Sequence, residues 1–114
     1  MRVEAVRRVV SLIMGCTLAV AMVPAMADGD PTAGRKLAAQ CAMCHGVDGI
    51  AKQPHVPHIA GESVIYLTKQ LKAFRAGERE DPQMTLMAQP LSDEDIADLS
   101  AWYSSIQISA TLPE

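Results

Sequence analysis

The sequence has few aromatic residues and few cysteines. Of its 114 residues, one is Phe, one is Trp, two are Tyr and three are Cys. A small domain with so few large apolar side chains buries a limited share of its surface, so a bound group is a candidate to complete its core. The sequence also lacks internal repeats, low-complexity runs and the alternating β-branched pattern of strands. These absences favour a small all-α domain.

The N-terminal 27 residues have the pattern of a secretory signal peptide. Three arginines near the N terminus precede an apolar stretch over residues 9–23, and small residues ending at Ala27 follow it. The stretch is shorter than the roughly 20 apolar residues that span a bilayer. We therefore predict a signal peptide over residues 1–27 and a mature domain over residues 28–114, with no stable membrane insertion after cleavage. A retained anchor and a lipid-modified Cys16 are the alternatives.

The predicted mature domain is acidic. The leader removes three of the ten basic residues and one of the thirteen acidic ones, which leaves seven against twelve and a formal charge of −5. A negative surface argues against nucleic acid and anionic lipid as partners. It favours either a partner with a basic docking face or a charge that serves solubility alone.

Three helices are predicted in the mature domain. The first runs from Asp30, a helix cap, to about Cys44, and the second runs over residues 62–76 with Gly77 at its end. The third begins after Ser92, which forms a capping-box pattern with the acidic residue three positions later. Loops are predicted over residues 47–61 and 78–90, and the C-terminal residues are expected to fray.

The pentapeptide C-A-M-C-H places Cys41, Cys44 and His45 within one helical turn. A structural zinc site needs four protein ligands, and no second Cys or His pair follows this one. A thioredoxin-type dithiol sits at the start of a helix after a strand, whereas this pair sits at the end of a predicted helix. A plain disulfide would leave His45 without a role.

The same three residues satisfy the requirements for covalent haem attachment. Cysteines three positions apart face the same side of a helical turn, so both sulfurs can form thioethers with one porphyrin. His45 is then held against the iron as an axial ligand. C-x-x-C-H is typical of haem c attachment, and export suits it, because attachment takes place outside the cytoplasm. We predict one haem c, bound through Cys41 and Cys44.

At this point the chain resembles the class I c-type cytochromes, especially the small periplasmic monohaem proteins of bacteria. The resemblance lies in three segments in the family's order, and together they cover essentially the whole mature chain. These segments are AGRKLAAQCAMCHGVDG, PHIAGESVIYLTKQLKAFRAG and DPQMTLMAQPLSDEDIADLSAWYSS. The resemblance implies a small cytochrome c fold, in which three main helices and their loops surround the haem.

The resemblance also implies further site residues. Pro57 is expected to supply the carbonyl that orients His45, and Ile59 is expected to lie beside the haem. The family pattern favours Met84 as the sixth ligand of the iron, with Met87 as the alternative. Bis-histidine ligation by His45 with His55 or His58 would lower the potential and is a further alternative. Gly34 is expected to let the first helix approach the last one near Tyr103.

The function that these features imply is single-electron transfer in the periplasm by a His/Met-ligated haem, without conversion of a substrate. The partners would be redox proteins that donate and accept electrons. The alternatives are a haem subunit held in a periplasmic dehydrogenase or oxidase complex, and an enzyme or gas sensor whose iron has an open position.

Overall fold

The structure is a computed structural model, and it describes residues 28–114. This part of the chain is helical and contains no β-strand, which confirms the all-α prediction. The predicted signal peptide lies outside the described residues. The helices are α1 (Pro31–Leu37), α2 (Ala42–His45), α3 (Val64–Ala76), α4 (Pro82–Ala88) and α5 (Asp93–Ser105), and a short 3-10 helix (Ala38–Gln40) joins α1 to α2.

The first predicted helix begins at the expected cap but is divided. The Asp30 carboxylate accepts a hydrogen bond from the Thr32 N–H at 2.8 Å, as a helix cap does. After α1 the backbone changes to the narrower 3-10 geometry, in which the Cys41 N–H bonds the carbonyl of Ala38, only three residues earlier, at 3.0 Å. The prediction of one continuous helix is wrong. The apolar residues four apart match the period of an α-helix, and a 3-10 helix of three residues is too short to show a period of its own in the sequence.

The second and third predicted helices correspond to α3 and α5. Ser63 caps α3, and Gly77 ends it in the left-handed conformation with φ of 74°. Ser92 and Asp95 form the predicted capping box at the start of α5, since each side chain accepts a hydrogen bond from the backbone N–H of the other. The N–H and the hydroxyl of Ser92 both donate to the Asp95 carboxylate and favour its charged form, so the pKa of Asp95 is lowered.

A helix replaces part of the second predicted loop. Pro82–Ala88 forms α4, and the Asp81 carboxylate caps it by accepting from the N–H groups of Gln83 and Met84. The prediction of a loop over residues 78–90 is therefore wrong. The local signals for a helix were present, because a capping Asp precedes a Pro in the first turn. However, α4 has only seven residues, too few for a clear apolar period.

The core lies where α1 and α3 pack against α5 and where α4 packs against α3. Its buried side chains are mostly aliphatic, with Phe74 and Tyr103 as its aromatic members. Gly34 of α1 lies directly against α5, and a side chain there would overlap the carbonyl of Asp98 and meet the Cβ of Trp102. The predicted approach of these two helices is therefore present, but it lies around Asp98 and Trp102 instead of Tyr103.

Within residues 28–114, no helix combines the length and the apolar character that are needed to cross a bilayer.

Candidate functional site

The two cysteines and the histidine of the C-A-M-C-H motif lie around α2. Cys41 immediately precedes this helix, and Cys44 and His45 end it. The N–H of His45 bonds the carbonyl of Cys41 at 3.0 Å, so the three residues share one helical turn. Both cysteines are half-buried and form no disulfide, and the His45 side chain is buried. The turn therefore presents two thiols and one imidazole from a short, rigid piece of backbone.

The His45 ring is oriented by the backbone carbonyl of Pro57. Nδ1 of His45 lies 3.0 Å from this oxygen. A carbonyl oxygen can only accept a hydrogen bond, so Nδ1 carries a proton, and in the neutral ring Nε2 then has the lone pair. This is the tautomer that a metal-binding imidazole needs. The structure thus brings Pro57 to His45, and the role of the pair in haem binding stays a prediction.

The loop that carries Pro57 and Ile59 is attached to the turn after α2. The N–H groups of Ile59 and Ala60 both bond the carbonyl of Gly49, at 2.9 and 3.2 Å. Gly49 has φ of 71°, and a Cβ at this position would collide with the backbone of Ala60. Ile59 is half-buried and packs against the core. These contacts set the position of the loop next to His45.

Two aromatic side chains of α5 hold the backbone just after His45. The Tyr103 hydroxyl donates to the carbonyl of Gly46 at 3.3 Å, and Nε1 of Trp102 donates to the carbonyl of Val47 at 3.1 Å. The sequence analysis expected Tyr103 only at the crossing of the first and last helices, and it predicted neither of these bonds to the motif. Their only signal was that an otherwise aromatic-poor chain places two aromatics side by side in its last helix.

The thiol of Cys41 is affected by its surroundings. Burial raises the pKa of its thiol to about 11, while a hydrogen bond with Tyr103 acts in the opposite direction. Burial also raises the pKa of the Tyr103 phenol. At neutral pH, Cys41 is therefore a neutral thiol before any covalent attachment.

The three methionines of the described chain differ in their surroundings. Met84 is half-buried and packs against the core. Met87, one turn later on α4, is exposed, and Met43, between the two cysteines, is 87% exposed. Of the two candidates for the sixth ligand, Met84 has the less exposed side chain.

The histidines that were alternatives for bis-histidine ligation lie on the surface of the loop. Both His55 and His58 are exposed. Nδ1 of His58 accepts a hydrogen bond from the N–H of Ala51 at 2.9 Å, so this ring has a structural role in the loop.

The donor set suits a haem. It consists of two thiols and one imidazole whose Nδ1 faces the Pro57 carbonyl, and half-buried apolar side chains pack against the core, namely Leu37, Ile59, Leu71 and Met84. Among residues 28–114, no group of three or more His, Cys, Asp or Glu side chains could hold a metal ion alone. An iron at this site would therefore take its remaining ligands from a porphyrin.

Comparisons with known proteins agree with this chemistry. The cytochrome c family model matches residues 31–107. Cytochrome c-554(548) from Halomonas halodenitrificans is 48% identical over 80 residues, and the match covers 68% of this chain and 96% of that protein. These matches confirm the predicted family and its fold.

Solved structures are also similar to the chain. Reduced cytochrome c4 from Pseudomonas stutzeri matches with a TM-score of 0.66 at 41% identity, over 69% of this chain and 46% of that one. Thiosulfate dehydrogenase from Marichromatium purpuratum matches with a TM-score of 0.64 at 33% identity, over 73% of this chain and 20% of that one. The chain thus spans nearly all of cytochrome c-554(548) but less than half of either of these two structures.

Proposed function

The chain belongs to the cytochrome c family, and from this premise we propose that it carries single electrons in the periplasm with His45 and Met84 as the axial ligands of its haem iron. Membership of the family means that haem c is bound covalently through Cys41 and Cys44. It also means that the protein transfers electrons and is not an enzyme. The proposal adds the ligands, the compartment and the kind of partner.

The contact between His45 and Pro57 is the observation that carries the proposed ligation. The proton on Nδ1 is directed to the Pro57 carbonyl at 3.0 Å, which leaves Nε2 as the free lone pair. Such a hydrogen bond sets the orientation of the ring and makes the imidazole a better ligand. His45 is buried, so water competes little for the same nitrogen.

Met84 is the proposed sixth ligand because its side chain is the sheltered one. It packs against the core from α4, and its own backbone N–H donates to the Asp81 carboxylate at 2.8 Å. When bound, the haem iron supplies the chemistry by taking up and releasing one electron. A thioether ligand raises the reduction potential, and apolar side chains such as Ile59 and Leu71 keep water away from the ring.

The proposed partners are redox proteins with basic docking faces. Residues 28–114 carry seven basic and twelve acidic side chains, a formal charge of −5. Opposite charges speed brief encounters and hold the partners only weakly at physiological salt. The predicted signal peptide over residues 1–27 supports a periplasmic location.

A second candidate function is that of a haem subunit in a larger complex. The similarity to thiosulfate dehydrogenase from Marichromatium purpuratum, of which this chain covers 20%, favours it. Affinity purification from the native host at low and high salt separates the two functions. A shuttle elutes alone at high salt, even if charge attraction retains some partner at low salt, whereas a subunit retains stoichiometric partners under both conditions.

The ligation is tested by replacing the two methionines of α4 one at a time. In the oxidised protein, a methionine sulfur on the iron gives a weak red absorption band. In the reduced protein, it keeps carbon monoxide from the iron. We expect Met84→Ala to lose the band and to bind carbon monoxide readily, and Met87→Ala to behave as the wild type. The reverse result would identify Met87 as the ligand, and no change in either variant would rule out both methionines.

A further inference from the structure

The guanidinium of Arg75, near the end of α3, binds the segment between α4 and α5. Its Nη1 donates to the backbone carbonyl of Leu91 at 2.9 Å, and its Nη2 donates to the carboxylate of Asp93 at 2.6 Å. Lys72, one turn earlier on α3, lies 3.8 Å from the same carboxylate. The Arg75 side chain therefore links α3 to two residues of the segment that follows α4.

This segment is continuous with the helix that carries Met84. The N–H of Leu91 bonds the carbonyl of Ala88, the last residue of α4, at 3.1 Å. Both Leu91 and Ala88 are buried in the core. Met84 lies four residues before Ala88, on the same face of α4. The position of the Met84 side chain therefore depends on how the end of α4 is held against α3.

The two contacts of Arg75 differ in strength. Asp93 is 72% exposed, and an exposed ion pair contributes little to stability in water. The bond to the Leu91 carbonyl is partly buried and has a charged donor, which makes it stronger than a neutral hydrogen bond. Arg75 itself is 30% exposed. Of the two contacts of Arg75, the one with Leu91 is therefore the one that restricts movement of α4.

We propose that Arg75 is a positioning residue for the axial methionine. By binding the segment between α4 and α5 to α3, it would hold the Met84 sulfur where it can bind the iron. It would thus reduce the fraction of time in which the iron lacks a sixth ligand. This inference rests on the proposed ligation by Met84. Electron transfer by the family does not require this role of Arg75, since other contacts between α4 and α3 could also hold the methionine.

The test compares Arg75→Gln with the wild type as full-length holoproteins. Glutamine shortens the side chain and removes the charge, so the bond to Leu91 is lost. Losing a charge-assisted hydrogen bond shifts a two-state equilibrium by about tenfold or more, so we expect carbon monoxide to bind the reduced variant about tenfold faster. We expect the red band of the oxidised form to weaken while circular dichroism shows unchanged helix content.

Three further variants separate positioning from general stability. Arg75→Lys keeps one cationic donor for the Leu91 carbonyl and should give an intermediate rate of carbon monoxide binding. Lys72→Gln removes only the weaker partner of Asp93 and should match the wild type. Arg79→Gln should also match it, because the Arg79 guanidinium contacts Gln70 and the Phe74 ring, both within α3.

The outcomes decide between this inference and the proposed function. If Met84→Ala leaves the band and the carbon monoxide rate unchanged, the ligation is wrong and the positioning role falls with it. If Met84→Ala abolishes the band but Arg75→Gln keeps wild-type values, only the positioning role is wrong. The two Arg75 variants are also titrated with denaturant. If their red band and their helix content disappear at the same denaturant concentration, Arg75 acts on the whole fold and the positioning role is refuted.

Discussion

Gly34 lies against the backbone carbonyl of Asp98 where α1 crosses α5, and there is room there for a hydrogen atom but not for a methyl group. At the same crossing, the Asp30 N–H donates a hydrogen bond to the Asp98 carboxylate at 2.7 Å. The carboxylate of Asp98 is buried, and this bond gives it a partner. The N-terminal end of the chain and the last helix are thus joined by close contacts around Asp98.

We expect Gly34→Ala to destabilise the fold. A Cβ would overlap backbone and not a mobile side-chain tip, so α1 must move away from α5. Overpacking of this kind costs about 1–3 kcal/mol. Urea unfolding of the holoprotein measures the change. Gly77→Ala is the control. A methyl group at this position meets no other atom, but the backbone has a positive φ, so the variant should cost about 1 kcal/mol through backbone strain alone. A Gly34→Ala variant as stable as the wild type would contradict the close crossing.

The capping box of α5 should make stability depend on pH in the acidic range. Hydrogen bonds from Ser92 lower the pKa of Asp95 in the folded protein. A lowered pKa contributes stability above the unfolded value, and this contribution is lost as the pH falls through the folded value. We expect Asp95→Asn to be less stable than the wild type at neutral pH and to show a weaker decline on acidification.

Ser92→Ala tests the other half of the same box. It removes the acceptor for the Asp95 N–H and should cost about 1 kcal/mol, the usual value of a helix cap. Thermal unfolding at pH 7 and pH 3 measures both variants. A difference between wild type and Asp95→Asn that is the same at both pH values would show that the carboxylate charge is not involved.

Tyr103→Phe should loosen the turn that follows His45. The variant keeps the buried ring but removes the bond from the hydroxyl to the Gly46 carbonyl. A single neutral hydrogen bond contributes about 1 kcal/mol, so we expect a loss of that size and faster hydrogen exchange near Gly46. Tyr66→Phe, on the exposed surface of α3, is the matched control and should change neither quantity.

The mass of the exported protein tests the signal peptide and the attachment together. Chain produced with the haem-attachment machinery should begin at Asp28 and carry the mass of one haem, and acid-acetone should not extract the pigment. The double variant Cys41→Ser/Cys44→Ser should yield extractable haem or none. A purified protein that retains residues 1–27 would instead indicate a membrane anchor.

Parts of the fold were predictable because their causes are local. The caps at Asp30 and Ser92 involve bonds to residues two or three positions away, and the signals are visible in the sequence. The short helix α4 was missed although Asp81 and Pro82 mark its start. Its seven residues are held by packing against α3 more than by their own periodicity.

The candidate site was predictable to a similar extent. The residues C-A-M-C-H specify attachment by their own spacing, whereas the orienting role of Pro57 was expected only from resemblance to a family. The bonds from Trp102 and Tyr103 to the backbone after His45 join positions 55 and 57 residues apart. Such contacts depend on the crossing of α1 and α5, which no local pattern specifies.

By itself, the sequence determined that two sulfurs and one imidazole share a single turn, since neighbours three and four residues apart must meet in any helix. It also determined where most helices begin, because capping is a bond between near neighbours. Only the tertiary structure decided which carbonyl orients His45, which methionine is sheltered and what Arg75 binds. These depend on the paths of loops and on the packing of helices, which form only when the whole chain has folded.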